Sequence, residues 1–486
     1  MSIDAKVNDG FDNDKFHEEC GIFGIINSNN AVSDALFSMH SLQHRGQEGC
    51  GICYFNVNDD KIQVKKDYGI VSQTLMTDEL LLKNLHSTSA IGHLRYSTSG
   101  NKTFTDVQPF YGTIKNLNGE DIDIAIAHNG NLINTKEIRD SLTSRGANFK
   151  TNIDSEVFLH SILLSDKNTI EDRIQDSIQN IKGAYAVIVL TKNKLIGFKD
   201  RNGIRPLSLG VKKNSDGTES YCFSSESVGF DAIHASQKSD VKEGEMVVVD
   251  IDKNKSVKIT SRNLFENSTI ARKFCVFEYI YFARPDSILE QNSVYNLRKE
   301  FGRILAKKSH IQADIIVPVP DSGVPSAIGY SVESKIPFEL GLIRSHYSGR
   351  SFIAPTQEIR ENKVLLKHNV NKSIIFDKKV ILVDDSIVRG TTSKKIVKMI
   401  KDAGAKEIHL VISSPPTIHS CYYGIDTPKH EDLIANVYKE NIQEIAKFLG
   451  VNSLVYLDIK DVYDAIKTHS SSQFCDMCFT KNKIIL

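Results

Sequence analysis

Residues 380–392, VILVDDSIVRGTT, constrain the second half of the chain more than any other stretch. Four apolar β-formers read as a buried strand, two carboxylates end it, and small hydroxylated residues with one glycine lead into residues 393–403. There Ile396, Val397, Ile400 and Ala403 recur at helical spacing, and Gly404 suits a C-cap. Residues 408–412 return as a strand, and residues 315–320, IIVPVP, form an earlier apolar run followed by Asp321-Ser322-Gly323. Strand, loop, helix, strand in this order predicts a parallel sheet with ligands at the carboxyl ends of its strands. The loop residues suit that place. Adjacent carboxylates can hold ribose hydroxyls or a hydrated Mg²⁺, and N–H groups, hydroxyls and a glycine at a helix start make a phosphate site. A bare Asp-Asp pair would more often be only a charged loop.

The first half is patterned differently. Residues 20–26, 122–127 and 184–190 are short β-runs, with helical pieces at 31–42 and 154–164. This mixture predicts stacked sheets covered by helices. The change of character falls between Asp250 and Arg272, and at roughly 150 residues per domain the 486 residues make two large domains or three smaller ones. Lys+Arg and Asp+Glu are both 60, so no general attraction to nucleic acid or anionic membrane is expected, and anions must be bound by local arrangement. No apolar run reaches the about 18 residues of a membrane-spanning helix. The first nineteen residues hold six acidic side chains and two lysines, unlike a signal or transit peptide, so the expected compartment is the cytoplasm.

The eight cysteines are too sparse for a disulfide scaffold. Cys50 and Cys53 lie among Gly49, Gly51, Ile52 and Tyr54, and Cys222 lies between Tyr221 and Phe223; all three read as core packing. Cys475-Asp-Met-Cys478 has a metal-type spacing, and Cys275 and Cys421 are further candidates. Four thiolates could hold structural Zn²⁺ as readily as an iron–sulfur cluster, and spacing does not choose. Cys20 alone, opening an apolar strand, would usually be a small buried hydrophobe.

Four further segments change the reading of Cys20. They are Gln43-His44-Arg45-Gly46-Gln47-Glu48, Gly92-His93-Leu94-Arg95-Tyr96-Ser97-Thr98, His128-Asn129-Gly130-Asn131-Leu132 and Thr151-Asn152-Ile153-Asp154-Ser155-Glu156. With Cys20-Gly21-Ile22-Phe23-Gly24-Ile25, they resemble, in order and over about 140 residues, the class II glutamine amidotransferases. The chemistry needs such residues. Glutamine's carboxylate calls for a guanidinium and its ammonium for a carboxylate, which the resemblance places at Arg95 and Asp154. The oxyanion formed on attack needs preplaced donors, for which the Asn129 amide and the Gly130 N–H resemble the family's pair. A thiol of pKa about 8.5 needs a base, and an α-amino group of pKa about 7.7–8.0 on the same residue can be that base. As encoded, the Cys20 nitrogen lies in a peptide bond. Cleavage of Glu19–Cys20 is therefore expected, and Glu18-Glu19-Cys20 resembles the family's short, self-removed propeptides.

Residues 380–392 resemble the binding loop for 5-phosphoribosyl-1-pyrophosphate (PRPP) in the type I phosphoribosyltransferases. The resemblance implies substrate contacts from Asp384, Asp385, Ser386, Arg389, Gly390, Thr391 and Thr392. It implies magnesium-associated positions at Ser322, Asp384 and Asp385. Residues 344–367, with Gly349, Arg350, Lys363 and Lys367, look like the mobile lid over PRPP. The two halves together resemble the amidophosphoribosyltransferase family over nearly the whole chain. That family implies an α+β N-terminal-nucleophile hydrolase domain of stacked β-sheets with flanking helices, followed by an α/β type I phosphoribosyltransferase domain with a parallel sheet. The expected division is a propeptide at 1–19, an amidotransferase domain at 20–260 and a phosphoribosyltransferase domain at 261–486. The reaction implied joins PRPP, glutamine and water into 5-phosphoribosylamine, glutamate and pyrophosphate, opening purine synthesis. In the family's cluster-bearing branch, Cys275, Cys421, Cys475 and Cys478 fall at the [4Fe–4S] ligand positions. Purine nucleotide inhibitors and a homo-oligomer (tetramer or dimer) are also implied, with no nucleic-acid or membrane partner. Other class II amidotransferases lack residues 380–392, and a non-catalytic PRPP-binding regulator would have no need of Cys20, Arg95, Asn129, Gly130 and Asp154 together.

Overall fold

The computed structural model describes residues 17–18, 20–56, 61–83, 87–95, 106–115, 119–265, 271–345, 368–467 and 471–480. The first half stacks two antiparallel sheets. The seven-stranded sheet runs, in spatial order, Ser236–Asp240, Ser208–Lys213, Glu219–Ser224, Gly21–Ile26, Ser89–Arg95, Gly49–Asn56 and Lys61–Tyr68. The six-stranded sheet runs Val257–Asn263, Glu245–Ile251, Lys194–Lys199, Gly183–Leu190, Asp121–Leu132 and Phe110–Lys115.

Period-two patterning decides which side chains go between the sheets. In Asp121–Leu132, Ala125 and Ala127 join Ile22, Ile26, Ile91 and Ile188 in the inter-sheet core, while Ile124 and Ile126 face helix Ser155–Leu163. On the other outer face, helix Ala31–Ser41 packs Val32, Ala35, Leu36 and Met39 against Phe23 and Ile25. The result is a helix, sheet, sheet, helix stack. Cys50, Cys53 and Cys222 are core residues, and burial pushes the Cys50 thiol up to about 11 and Cys53 to about 12.

The second half carries a parallel sheet of Ile315–Pro318, Lys379–Asp384, Glu407–Ile412 and Ser453–Tyr456. Val317, Leu382, Leu410 and Leu454 lie in register across it. Such strands are apolar on both faces because helices cover both. Helices Val294–Ser309 and Val324–Ser334 bring Phe301, Leu305, Ala327 and Tyr330 to one face; Thr391–Asp402 and Ile442–Leu449 bring Ile396, Val397, Ile400, Ile445 and Leu449 to the other. Fully burying each valine, leucine, isoleucine or phenylalanine among these is worth about 1.5–3 kcal/mol. Ala184 and Ile204 of the first half belong to the same core as Phe274, Phe277 and Tyr279 of the second, so the halves share an apolar seam.

Candidate functional site

Cys20 immediately precedes strand Gly21–Ile26 and is half-buried, with φ +82°. Its neighbour strand Ser89–Arg95 ends at Arg95, which is buried and has Nη2 3.8 Å from Asp106 Oδ2. Alternation along Asp121–Leu132 puts Asn129 on the same side as Ala125 and Ala127, toward the inter-sheet space. Asn129 is fully buried, and neither its amide oxygen nor its amide nitrogen has a hydrogen-bond partner among the described residues. A buried amide with nothing to bond is costly unless a ligand completes it. The next residue needs to be glycine: Gly130 has φ +144°, and a Cβ there would come within 2.0 Å of the Ala184 carbonyl oxygen.

Asp154 stands at the start of helix Ser155–Leu163, and its Oδ2 accepts the Leu132 N–H at 2.9 Å. That bond ties the carboxylate to the strand carrying Asn129 and Gly130. Behind it, His128 Nδ1 and Ser155 Oγ share a 2.8 Å hydrogen bond, and burial holds the His128 imidazole below its ordinary pKa, hence neutral at pH 7. Glu156 accepts the Lys150 and Thr151 N–H groups at 2.8 and 2.9 Å and closes the loop that leads to Asp154. Tyr96, Ser97 and Thr98 lie outside the described residues.

Arg45, in the Gln43–Glu48 segment, is a site residue to which the sequence alone assigns no role. It donates from Nε to the Cys20 carbonyl at 3.4 Å and from Nη2 to Glu278 Oε1 at 3.0 Å, and Nη1 also bonds Glu226. Glu226 accepts the Arg284 N–H at 2.9 Å and the Ser287 hydroxyl. Arg205 Nη1 lies 3.8 Å from Glu278 Oε1, and its Nη2 donates to the Tyr423 carbonyl at 3.0 Å. Burial alone would raise Glu226, but His44 and Arg45 outweigh it and hold the carboxyl far below its usual range; burial pushes Glu278 up. This chain of contacts runs from Cys20 through the domain junction. The nearest atoms to a Cβ built on Gly424 belong to Arg205 and Asn131, so the chain of contacts through Arg205 reaches the end of strand Asp121–Leu132. Sequence reasoning missed this network, because the partners of Arg45 lie 181 and 233 residues away.

In the second half, Asp384 ends strand Lys379–Asp384 and Asp385 follows, both buried. Asp384 Oδ1 accepts the Asp385 N–H at 2.9 Å. Ser322, from the loop after Ile315–Pro318, donates to Asp385 Oδ1, and Ser386 Oγ donates to Asp385 Oδ2 at 2.6 Å. Ser322, Asp384, Asp385 and Ser386 thus meet at the carboxyl ends of two adjacent strands. Gly390, at φ +80°, turns the loop into helix Thr391–Asp402, and a Cβ there would come within 2.6 Å of Ile434 Cδ1. Arg389 Nη2 pairs with Asp432 Oδ2 at 3.3 Å, while Thr391 and Thr392 form the helix's first turn. Arg298, fully buried, donates to the Tyr279 and Ala283 carbonyls at 2.8 Å each; burial lowers it to about 10, so it stays a cation near Asp385. Of the lid residues, Arg344 pairs with Asp321, while Gly349, Arg350, Lys363 and Lys367 lie outside the described residues.

Cys275 and Cys475 are opposite each other where Phe274–Cys275 pairs in parallel with Phe474–Cys475. The Cys478 carbonyl accepts the Ile418 N–H at 2.8 Å, and Cys421 Sγ accepts the Tyr423 N–H at 3.3 Å. Burial, and then the other three thiols, push Cys478 well up; burial with Cys421 pushes Cys475 up to about 12. Four thiols from three segments therefore share one apolar shell with Phe274, Phe277, Tyr423, Phe474 and Phe479. Among the described residues, no three His, Cys, Asp or Glu side chains close around a single metal-ion position. No helix among them is long and apolar enough to cross a membrane.

Residues 93–232 match the glutamine amidotransferase domain family, and residues 286–448 the phosphoribosyl transferase domain family. The amidophosphoribosyltransferase of Rhizobium etli is 42% identical over 98% of this chain and 93% of its own length. That of Bacillus subtilis is 39% identical over 95% of this chain and 92% of its own. The structure of the Bacillus subtilis glutamine PRPP amidotransferase complexed with ADP and GMP superposes with a TM-score of 0.85 at 39% identity, covering 95% of this chain and 97% of that one. Antiparallel stacked sheets followed by a parallel sheet, each half with its own domain family, agree with that likeness over the whole length. The chain belongs to the amidophosphoribosyltransferases, the enzymes of the first step of purine biosynthesis.

Proposed function

We propose that Cys20, freed from residues 1–19, opens the reaction by attacking the side-chain amide of glutamine. Its own amine takes the thiol proton and passes it to the leaving nitrogen, so that ammonia departs and a glutamyl thioester remains; water then releases glutamate. Arg95 holds the substrate carboxylate and Asp154 its ammonium, while the Asn129 amide and the Gly130 N–H bond the oxyanion. The observation that carries this reading is the buried Asn129 amide, which has no hydrogen-bond partner among the described residues.

Ammonia passes through the interior to residues 384–392, where it attacks C1 of PRPP and displaces pyrophosphate. Asp384 and Asp385 take the ribose hydroxyls, and Ser386, Arg389, Gly390, Thr391 and Thr392 take the 5′-phosphate with the N–H groups of the helix start. Ser322, Asp384 and Asp385 offer the oxygen donors that Mg²⁺ prefers; when bound, Mg²⁺ would neutralise charge on the departing pyrophosphate. Lid residues 344–367 shut out water, a competing nucleophile.

Cys275, Cys421, Cys475 and Cys478 would hold a [4Fe–4S] cluster, which would supply a structural tie between the C-terminus and the domain junction. Soft donors in an apolar shell suit it. Anaerobically purified protein should contain iron and inorganic sulfide; zinc at one per chain without iron would overturn the reading. Purine nucleotides act as feedback inhibitors, in keeping with the ADP and GMP in the Bacillus subtilis complex. The enzyme works as a homo-oligomer in the cytoplasm. The division between the two domains falls just after Asn263 rather than at the expected 260/261, because strand Val257–Asn263 is paired along its whole length as the edge of the six-stranded sheet.

A coupled assay with PRPP and glutamine, on protein of known intact mass, tests the whole. Active enzyme should begin at Cys20, and Cys20→Ala should abolish glutamine-dependent turnover while ammonia-dependent turnover survives. Full activity from a chain retaining residues 1–19 would reject the role of the Cys20 amine.

A further inference from the structure

Residues His17–Glu18 form an antiparallel pair with Ile425–Asp426, in the register His17 with Asp426 and Glu18 with Ile425. The first pair belongs to the leader and the second to the far half of the chain. Ile425–Asp426 continues a segment already fastened against the amidotransferase domain. Asn131 Nδ2 donates to the Tyr422 carbonyl at 3.2 Å, and Arg205 Nη2 to the Tyr423 carbonyl at 3.0 Å. Gly424 lies against both of those side chains. Ile425 itself is buried in the shared core. Two residues beyond the paired Glu18, Cys20 sits at φ +82°, a backbone region that side-chain-bearing residues rarely adopt.

We infer that Ile425–Asp426 is the docking edge for the leader, and that it holds the Glu19–Cys20 bond across the domain junction until that bond is cut. The inference rests on reading residues 1–19 as a propeptide. Main-chain pairing is indifferent to side-chain identity, so the edge can hold a leader as acidic as this one. The edge exists only where residues 422–426 are seated on Asn131 and Arg205, so the bond is presented for cleavage only after the two domains have met. Cleavage breaks the bond between the Glu19 carbonyl carbon and the Cys20 nitrogen. Water supplies the hydroxyl that completes the Glu19 carboxyl and the hydrogen that completes the Cys20 amine. Departure of the leader then uncovers the edge beside Asn131 and Gly130, clearing the approach to the glutamine site at the same moment as it creates the base.

Hydrogen exchange by mass spectrometry tests the docking on full chains. Two proteins carrying Cys20→Ala are compared, one beginning at Met1 and one at position 20. Of the amides at 425 and 426, the one that faces the leader should exchange roughly tenfold more slowly in the longer chain, because alternate residues of an antiparallel pair donate across it and a paired amide is protected. Equal exchange overturns the docking edge. A second arm leaves the mature sequence untouched: His17 and Glu18 are both replaced by Pro, or both by Ala, in the otherwise native chain. The proline pair, which cannot make the ladder, should slow loss of residues 1–19 several-fold by intact mass, and the alanine pair should not. Equal rates for the two pairs also overturn it. If the native chain never shortens while residues 425 and 426 are protected, the docking stands and the propeptide reading alone fails.

Discussion

The Arg45 guanidinium meets Glu278 at 3.0 Å, Nη2 to Oε1, with neither side chain exposed to solvent. Arg45 belongs to the amidotransferase half and Glu278 to the other, and the same guanidinium also donates to the Cys20 carbonyl. Removing it takes from two buried carboxylates, Glu226 and Glu278, the cation they share, and leaves His44 beside the first and Arg205 beside the second. Arg45→Ala should cost about 3–5 kcal/mol of stability and depress glutamine-dependent turnover more than ammonia-dependent turnover. Arg45→Lys keeps the charge but not the fork that reaches both acids, so it should recover part of the stability. Thermal denaturation together with the ratio of the two activities checks this; unchanged values for Arg45→Ala would remove the link between Cys20 and the junction.

Asn129→Leu keeps the side chain's approximate size while deleting its donor. Glutamine-dependent kcat should fall about 10²–10³-fold, with ammonia-dependent turnover unchanged. Because the amide makes no bond to the protein among the described residues, little stability should be lost with it. Equal losses in both assays would count against an oxyanion role.

Asp385 accepts hydroxyl hydrogens from Ser322 and Ser386 on its two oxygens. In Asp385→Asn one of those acceptors becomes a donor and the charge disappears. The Michaelis constant for PRPP should rise roughly ten- to hundredfold, as expected for loss of about 1.5–3 kcal/mol from a hydrogen bond to a charged group. The rise should be the same with glutamine or ammonia as nitrogen source, and steady-state kinetics with each will show whether it is.

Glu156 gives a pH dependence of known sign. Burial alone would raise its pKa, but hydrogen bonds from His160, Lys150 and Thr151 lower it from 4.5 to about 2. A carboxyl depressed on folding contributes stability that is complete above the unfolded pKa and is lost as pH falls toward the folded one. Wild-type stability should therefore drop by roughly 3 kcal/mol more than that of Glu156→Gln between pH 5 and pH 2. Denaturant titrations of both proteins across that window measure the difference; parallel curves would contradict it.

Local stretches were the legible part of the fold. The helix expected at 393–403 is Thr391–Asp402, starting earlier because Gly390 at positive φ lets the chain enter it directly from the loop. The strand expected at 122–127 runs on to Leu132. Its apolar run stops where the buried residues turn polar, at His128 and Asn129, whereas ladder hydrogen bonds to Gly183–Leu190 carry the backbone on through His128-Asn129-Gly130. The site residues beyond that point were legible by residue type, not by any periodic pattern.

Short motifs, read through their resemblance to known families, supplied the chemistry proposed for this chain: a cysteine that would gain a free amine, a guanidinium and a carboxylate for an amino acid, and an acidic, glycine-bearing loop for a phosphorylated sugar. Residue identity determined the two domain classes as well, since strand and helix periods are properties of neighbouring residues. Tertiary structure decided which charges meet. Arg45 lies 181 residues from Glu226 and 233 from Glu278, and Asn131 lies 291 from Tyr422, separations over which no local pattern carries information. It also decided which polar groups lose water. Only packing could bury the Asn129 amide with no hydrogen-bond partner among the described residues, hold Glu226 ionised beside Arg45, and set the backbone of His17–Glu18 against Ile425–Asp426.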